Sequence, residues 1–328
     1  MNENTIRVAV VGVGDFGRNH ARVWRELEGV DLVGVIDSNA ERAAQVAAEF
    51  KTRVIRDVYA LAADKVDAVS LAVPTREHGR MGCNLLDAGI DVLVEKPIGT
   101  SAREANGLIA SATRAKRILQ VGHLERYNPA IVAVRKLVSK PMFFEIHRLG
   151  VFTPRSLDVD VVYDVMIHDL DILLSLVNAP VTDIKAVGIP VITDKNDIAQ
   201  ARIEFETGTV ANLTASRVST ERVRKMRFFQ HHEYISIDFT RQDVLRVSVD
   251  PRNPEKPINF EKVPTTPEEP LRAELRAFLH AIRTRRPPQV DGAAGLRALE
   301  LADRVNAGIL EHAKRVKLDS FGQQDSSR

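Results

Sequence analysis

The chain has 328 residues, enough for two domains and a sizeable buried core. Its 46 Lys and Arg stand against 44 Asp and Glu, a balance that excludes a protein built to hold nucleic acid by charge, and no run approaches the ~18 apolar residues of a membrane span. The single cysteine, Cys83, excludes an internal disulfide. With a polar start that runs directly into the first strand and leaves no room for a signal peptide, it predicts a reducing, cytoplasmic setting.

The first element is a β-branched run at 6–11, breaking into Gly12, Gly14 and Gly17 and then into a helical pattern at 16–27. A second apolar run at 32–36 closes on Asp37. This order is the dinucleotide-binding fingerprint in its required context. The first glycine allows the tight turn, the second lets a pyrophosphate approach the main chain, and the third lets helix and strand pack closely. The N–H groups and positive dipole end of the helix that opens at Asp15 and Phe16 face the phosphates. A carboxylate at Asp37 accepts from ribose hydroxyls and repels a 2′-phosphate. Ser38 and Asn39 follow with no adjacent arginine, although Arg42 is near enough to fold back, and the balance favours NAD over NADP.

Strand-like runs at 66–73, 90–94 and 118–121 then alternate with helical patterns at 40–50, 76–88 and 102–115. Continuous apolar strands between amphipathic helices predict a parallel sheet covered on both faces, so residues 1–122 read as an NAD-binding Rossmann domain. Cys83 falls in the 76–88 helix and reads as core filling.

After His123 the texture changes. A helix at 129–138 and a strand at 142–149 precede a long apolar helix at 161–177. Six strands follow, at 184–187, 199–205, 210–216, 226–229, 234–239 and 244–249, without helical crossovers, so most are antiparallel. Helices at 270–284 and 293–314 end the pattern. Residues 123–318 read as a substrate-binding and oligomerisation domain, and 319–328 as a polar tail. The fold class is α/β: a Rossmann domain plus an α/β domain with a large, mostly antiparallel sheet.

Two motifs carry chemistry. Glu95-Lys96-Pro97 ends the 90–94 strand, on the edge where open α/β sheets bind ligands, and a lysine there can stabilise an oxygen beside a nicotinamide. The second is YDVMIHDLD at 163–171. At α-helical spacing Asp164, His168 and Asp171 share one face of an otherwise apolar helix, which has no packing reason to carry them. Substrate contact is the favoured reading; a metal site is conceivable, but no further close His or Cys cluster supports one, and hydride transfer needs no metal. Catalytic Lys96, leaving the first domain, and Asp164 with His168, in the second, predict a site between domains.

On GVGDFG near the start, AVPTREH at 72–78, EKPIG at 95–99 and D-x-x-x-H-D-x-D at 164–171, the chain resembles the glucose–fructose oxidoreductase, inositol dehydrogenase and MocA family over essentially its whole length. The resemblance implies catalytic roles for Lys96, Asp164 and His168, and a cofactor lining from Val73, Pro74, Thr75 and His78, with Glu95 reaching towards it. It also implies homodimers or homotetramers formed through the open face of the second sheet. A finer resemblance, in GHLERYNPA at 122–130 and RSLDVDVVYDVMIHDLD at 155–171, is to members that oxidise the 3-hydroxyl of UDP-N-acetylglucosamine, supplying a 3-keto sugar nucleotide for amino-sugar lipid A or related glycans.

From the residues themselves, His123, Glu125, Arg126 and Asn128 form a polar group just past a strand end. There Arg126 can meet a diphosphate and Asn128 a sugar, with Arg155 and Asp171 as further substrate contacts. Arg217, Arg222 and Arg224 can add positive charge or simply face solvent. The expected chemistry is hydride transfer from a secondary alcohol. Imidazole titrates near neutral pH, which makes His168 the candidate base, with Asp164 orienting and Lys96 stabilising the alkoxide. A lysine beside a nicotinamide can take the proton instead, and the sequence leaves that open. The alternatives are a dehydrogenase of inositol or a free sugar and, in another class, a non-catalytic NAD-binding regulator.

Overall fold

The computed structural model describes residues 5–153 and 159–317. It separates into two compact units. One runs to Tyr127 and takes in Glu268–Leu299; the other comprises Asn128–Pro267 and the chain from Glu300 on.

The first unit alternates β1 (Ile6–Val11), α1 (Asp15–Glu26), β2 (Val30–Ile36), α2 (Ala40–Glu49), β3 (Arg53–Val54), β4 (Ala68–Leu71), α3 (His78–Asp87), β5 (Asp91–Glu95), α4 (Ala102–Ala115) and β6 (Leu119–Gly122). The strands form one parallel sheet in the order β3-β2-β1-β4-β5-β6. β1, β4 and β5 are buried almost throughout because helices cover both faces, which is why they read as unbroken apolar runs. The order reverses between β1 and β4, and the crevice at their C-terminal ends is where such sheets take ligands. β3 escaped the sequence reading because it is only two exposed residues long.

Helix α7 (Pro270–Thr284) returns to this unit, whereas the sequence reading kept 123–318 together. Its Leu271, Leu275, Phe278, Leu279 and Ile282 belong to the same apolar cluster as Val8, Val10 and Trp24, and the Trp24 and Phe278 rings lie 6.3 Å apart. That shared burial draws the segment back. The division between units falls within α8 (Gly292–Val316), after Leu299.

The second unit opens with α5 (Pro129–Val134), shorter than the sequence pattern, and β7 (Pro141–Leu149). It continues through a π-helical turn at Val162–Met166, α6 (Ile167–Leu176), and strands β8 (Val181–Ile189), β9 (Ile198–Phe205), β10 (Val210–Ser216), β11 (Val223–Gln230), β12 (Glu233–Asp238), β13 (Asp243–Val249) and β14 (Ile258–Val263). These strands form an eight-stranded sheet, β14-β13-β12-β11-β7-β10-β9-β8, antiparallel at every pairing but β10 with β7. β14 was not legible because five of its six residues are exposed, so it shows no apolar alternation. The polar tail at 319–328 lies outside the described residues.

Candidate active site

The glycines of the first turn show what their spacing is for. Gly12 adopts φ +83°, and a Cβ there would lie 2.5 Å from the Ala72 carbonyl oxygen, so both backbone shape and the neighbouring loop demand glycine. A Cβ on Gly17 would fall on the Gly12 carbonyl. Gly14 differs: a Cβ there would meet nothing within 4 Å. Gly14 caps α1 and has no side chain to bond the N–H groups of that first turn. An open cradle at an uncapped helix N-terminus suits a pyrophosphate. Asp15 and Phe16, in that turn, are exposed.

Asp37, just past β2, accepts from the Val13 N–H at 2.8 Å and the Asn39 N–H at 2.8 Å. Arg42 has folded back and grips it with two nitrogens, at 3.0 and 2.7 Å. Burial alone would raise the carboxyl's pKa; the Arg42 guanidinium and the two N–H donors outweigh it and hold the group below the usual carboxylate range. The carboxylate is 4% exposed and its arginine 45%. Ser38 beside it is exposed.

The loop after β4 carries Val73, Pro74 and Thr75 at the surface or half-buried. His78, expected in the cofactor lining, is set between two main-chain carbonyls. Its ring is buried, with Nδ1 2.9 Å from the Pro97 carbonyl and Nε2 2.9 Å from the Val73 carbonyl. Burial lowers its pKa despite those acceptors. The two carbonyls belong to the loops after β4 and β5, and a neutral ring, with one N–H, donates to one of them. Glu95, the last residue of β5, is buried, Lys96 after it is half-buried, and the Lys96–Pro97 peptide bond is cis.

Beyond β6, His123 is buried, and Glu125 and Arg126 are buried in a short helical turn, Leu124–Tyr127. The Arg126 carbonyl accepts from Gln289 at 3.4 Å. Asn128 follows that turn. Its Oδ1 caps α5 by accepting from the Ala130 N–H, and its Nδ2 donates to the Phe239 carbonyl, both at 3.1 Å, so the side chain has a role in the fold beside the sugar contact expected of it.

In the second unit the expected single helix at 161–177 is instead the π-turn at Val162–Met166 followed by α6. Asp164 therefore sits in a wider turn than His168, and the regular four-residue spacing does not apply across them. Both are half-buried, whereas Asp171 is buried, so the three do not form one accessible stripe. Asp160 anchors the turn: its Oδ1 accepts from the Val162 N–H at 2.9 Å and its carbonyl from the Asp164 N–H at 3.1 Å. Asp169 was missed by the sequence reading. It is buried and accepts from Nε and Nη2 of the Arg148 guanidinium, at 2.9 and 2.7 Å, which pins α6 to the sheet. The string His-Asp-Leu-Asp carries two acids, both buried, and offers no means of telling which one meets an arginine.

Arg217 is buried against Asp197 and donates to the Val159 and Asn196 carbonyls, so it is not among the surface charges; Arg222 and Arg224 are exposed. Arg155 lies outside the described residues. Cys83 is half-buried, less enclosed than core filling requires. Among the described residues no three His, Cys, Asp or Glu side chains gather to hold a metal ion, and no helix is long and apolar enough to cross a membrane.

The fold and the glycine cradle define an NAD-binding Rossmann oxidoreductase. Residues 6–123 match the family described as "Oxidoreductase family, NAD-binding Rossmann fold", and residues 140–235 match the GFO/IDH/MocA C-terminal domain. The chain belongs to the Gfo/Idh/MocA family. It is 41% identical over 310 residues, 93% of this chain and 97% of the other, to a UDP-N-acetylglucosamine 3-dehydrogenase from Acidithiobacillus ferrooxidans. A solved structure of that enzyme superposes with a TM-score of 0.87, covering 93% of this chain and 98% of the other. An inositol 2-dehydrogenase/D-chiro-inositol 3-dehydrogenase from Halalkalibacterium halodurans is 33% identical over 53% of each chain. An oxidoreductase domain protein from Kribbella flavida, 18% identical and covering 94% of this chain and 98% of its own, shares the fold at a TM-score of 0.85.

Proposed function

We propose that this protein oxidises the 3-hydroxyl of UDP-N-acetylglucosamine to the 3-keto sugar nucleotide, with NAD as its cofactor. The observation that carries the reading is identity sustained at 41% across both family domains with the Acidithiobacillus ferrooxidans enzyme of that name, against partial coverage for the inositol dehydrogenase. When bound, NAD supplies the hydride acceptor. The N–H groups of the first turn of α1 and the open face of Gly14 hold its pyrophosphate, and Asp37 receives the adenosine ribose hydroxyls, which favours NAD over its 2′-phosphate.

Lys96 stabilises the developing alkoxide, His168 takes the hydroxyl proton on its imidazole, and Asp164 orients the hydroxyl or the ring. Glu125 and Arg126, with His123, are the substrate contacts this reading keeps from the first unit. The single half-buried thiol fits a cytoplasmic setting. Self-association through the open sheet face is supported by exposed Phe229, Leu245 and Phe260 on β11, β13 and β14.

The test is a substrate panel with NAD, followed by nicotinamide reduction, with an aminotransferase present to draw off the ketone. UDP-N-acetylglucosamine should turn over with the highest kcat/KM. Faster turnover of free inositol or glucose would overturn the substrate; no turnover of any alcohol would favour the non-catalytic regulator.

A further inference from the structure

His20 lies on the buried face of α1, with Gly17, Ala21, Val23 and Trp24, and is wholly excluded from solvent. A helix face packed on a sheet has no need of an imidazole, and a buried polar ring is costly unless it is hydrogen-bonded. Its Nε2 is 3.1 Å from Glu95 Oε1. Its Nδ1 has no hydrogen-bond partner, and the Phe16 ring stands edge-on to it with centroids 5.2 Å apart. The one hydrogen bond of this ring is therefore spent on Glu95.

Glu95 is equally out of place at the end of a strand whose Val92, Leu93 and Val94 are fully buried. Its second oxygen, Oε2, lies 3.3 Å from the Lys96 main-chain nitrogen, which donates to it. On the third side is Gly122, its register partner on β6. A Cβ there would come within 2.6 Å of Oε1 and 2.8 Å of Cδ. The carboxylate thus sits in a slot made by an imidazole, the lysine's own N–H and bare main chain.

We propose that His20 is a positioning residue: through Glu95 it fixes the main chain at Lys96, so that the helix carrying the dinucleotide cradle and the strand end carrying the lysine are set together. The inference rests on the reading that Lys96 acts at the reacting hydroxyl. In the neutral ring the proton sits on Nε2 and is donated to the carboxylate; Nδ1 then carries a lone pair that needs no donor to keep the bond.

The test compares the full-length wild type with His20→Leu, His20→Gln, Gly122→Ala and Lys96→Ala. His20→Leu should lower kcat about 10-fold, a displacement effect at the lysine. NAD affinity should change less than about threefold, and the Lys96 amide of the cofactor-free protein should exchange its hydrogen faster. His20→Gln places an amide nitrogen near the position of Nε2 and should restore most of both. Wild-type kcat and exchange in His20→Leu would overturn the proposal, as would equal damage in Leu and Gln variants with a matching loss of NAD affinity. If His20→Leu does not fold, Gly122→Ala asks the same question by crowding the carboxylate: lost kcat with retained NAD affinity supports the link, and unchanged kcat overturns it. Lys96→Ala separates the two readings. If it keeps wild-type kcat, Lys96 is not the acting group; if it loses kcat while His20→Leu does not, only the positioning link fails.

Discussion

Two turns of the chain, 37–42 in the first unit and 191–197 in the second, use the same chemistry to opposite ends. Asp37 collects two main-chain N–H groups and an arginine. Asp197 collects the N–H groups of Val191, Ile192 and Thr193 at 2.8, 2.6 and 2.8 Å and the Thr193 hydroxyl at 2.8 Å, with Arg217 alongside at 3.4 Å. Both carboxyls are held below their usual range: burial works against ionisation in each, and the donors outweigh it, bringing Asp197 to about 2. The difference is the arginine. Arg42 is 45% exposed and can leave; Arg217 is 8% exposed and tied to the Val159 and Asn196 carbonyls. A carboxylate whose partner is mobile can take a ligand in its place, whereas one whose partner is sealed holds a loop.

The comparison extends to the catalytic candidates, and the largest effects test it there. Lys96 and His168 are half-buried. Lys96→Ala and His168→Ala should each lower kcat ~10²-fold or more while NAD affinity, read by fluorescence titration, changes little. A His168→Ala enzyme with near-normal kcat would pass the role of base to Lys96.

Gly14→Ala comes next. Its methyl enters open space, so the melting temperature should hold while NAD affinity falls about 10-fold, because the pyrophosphate seat is narrowed. Gly17→Ala should instead lose stability by roughly 1–3 kcal/mol, since its methyl strikes main chain. Paired thermal melts and titrations distinguish the two.

Asp197→Asn tests the sealed turn. An amide nitrogen would face N–H donors, and a loss on the order of 2 kcal/mol is expected at neutral pH. The sign follows from the depressed pKa. The stabilisation is complete above the unfolded value of about 3.9 and is lost as pH falls from there through about 2. Stability curves of wild type and variant should therefore converge in acid; parallel curves would show that the carboxylate is not the source.

Asp37→Ala should leave folding nearly intact and narrow the preference for NAD over NADP by about 10-fold, the worth of a charge-assisted hydrogen bond. A wild-type preference for NADP would reverse the role given to Arg42. Cys83→Ser should be the smallest change, within about 0.5 kcal/mol in stability and without effect on turnover.

The sequence by itself determined the dinucleotide half almost completely. Gly12, Gly14, Gly17 and Asp37 are local requirements of one strand–turn–helix–strand unit, and continuous apolar strands can only be buried between helices. Lys96 was legible for the same reason, standing at a strand end that any parallel sheet puts on its ligand edge. Only the tertiary structure decided the rest. The sequence put Arg42 within reach of Asp37, and the structure decided that it folds back onto it. Asp169 is held inside because Arg148 waits on β7. The π-turn breaks the expected face of Asp164, His168 and Asp171 because Asp160 anchors that turn. Asn128 and His78 are occupied by carbonyls far along the chain or across a loop. The contacts of Asp169, Asn128 and His78 depend on partners that no local period reveals. The α7 helix joins the first unit for the same reason: its apolar side chains share one cluster with the core around Trp24, far back in the chain.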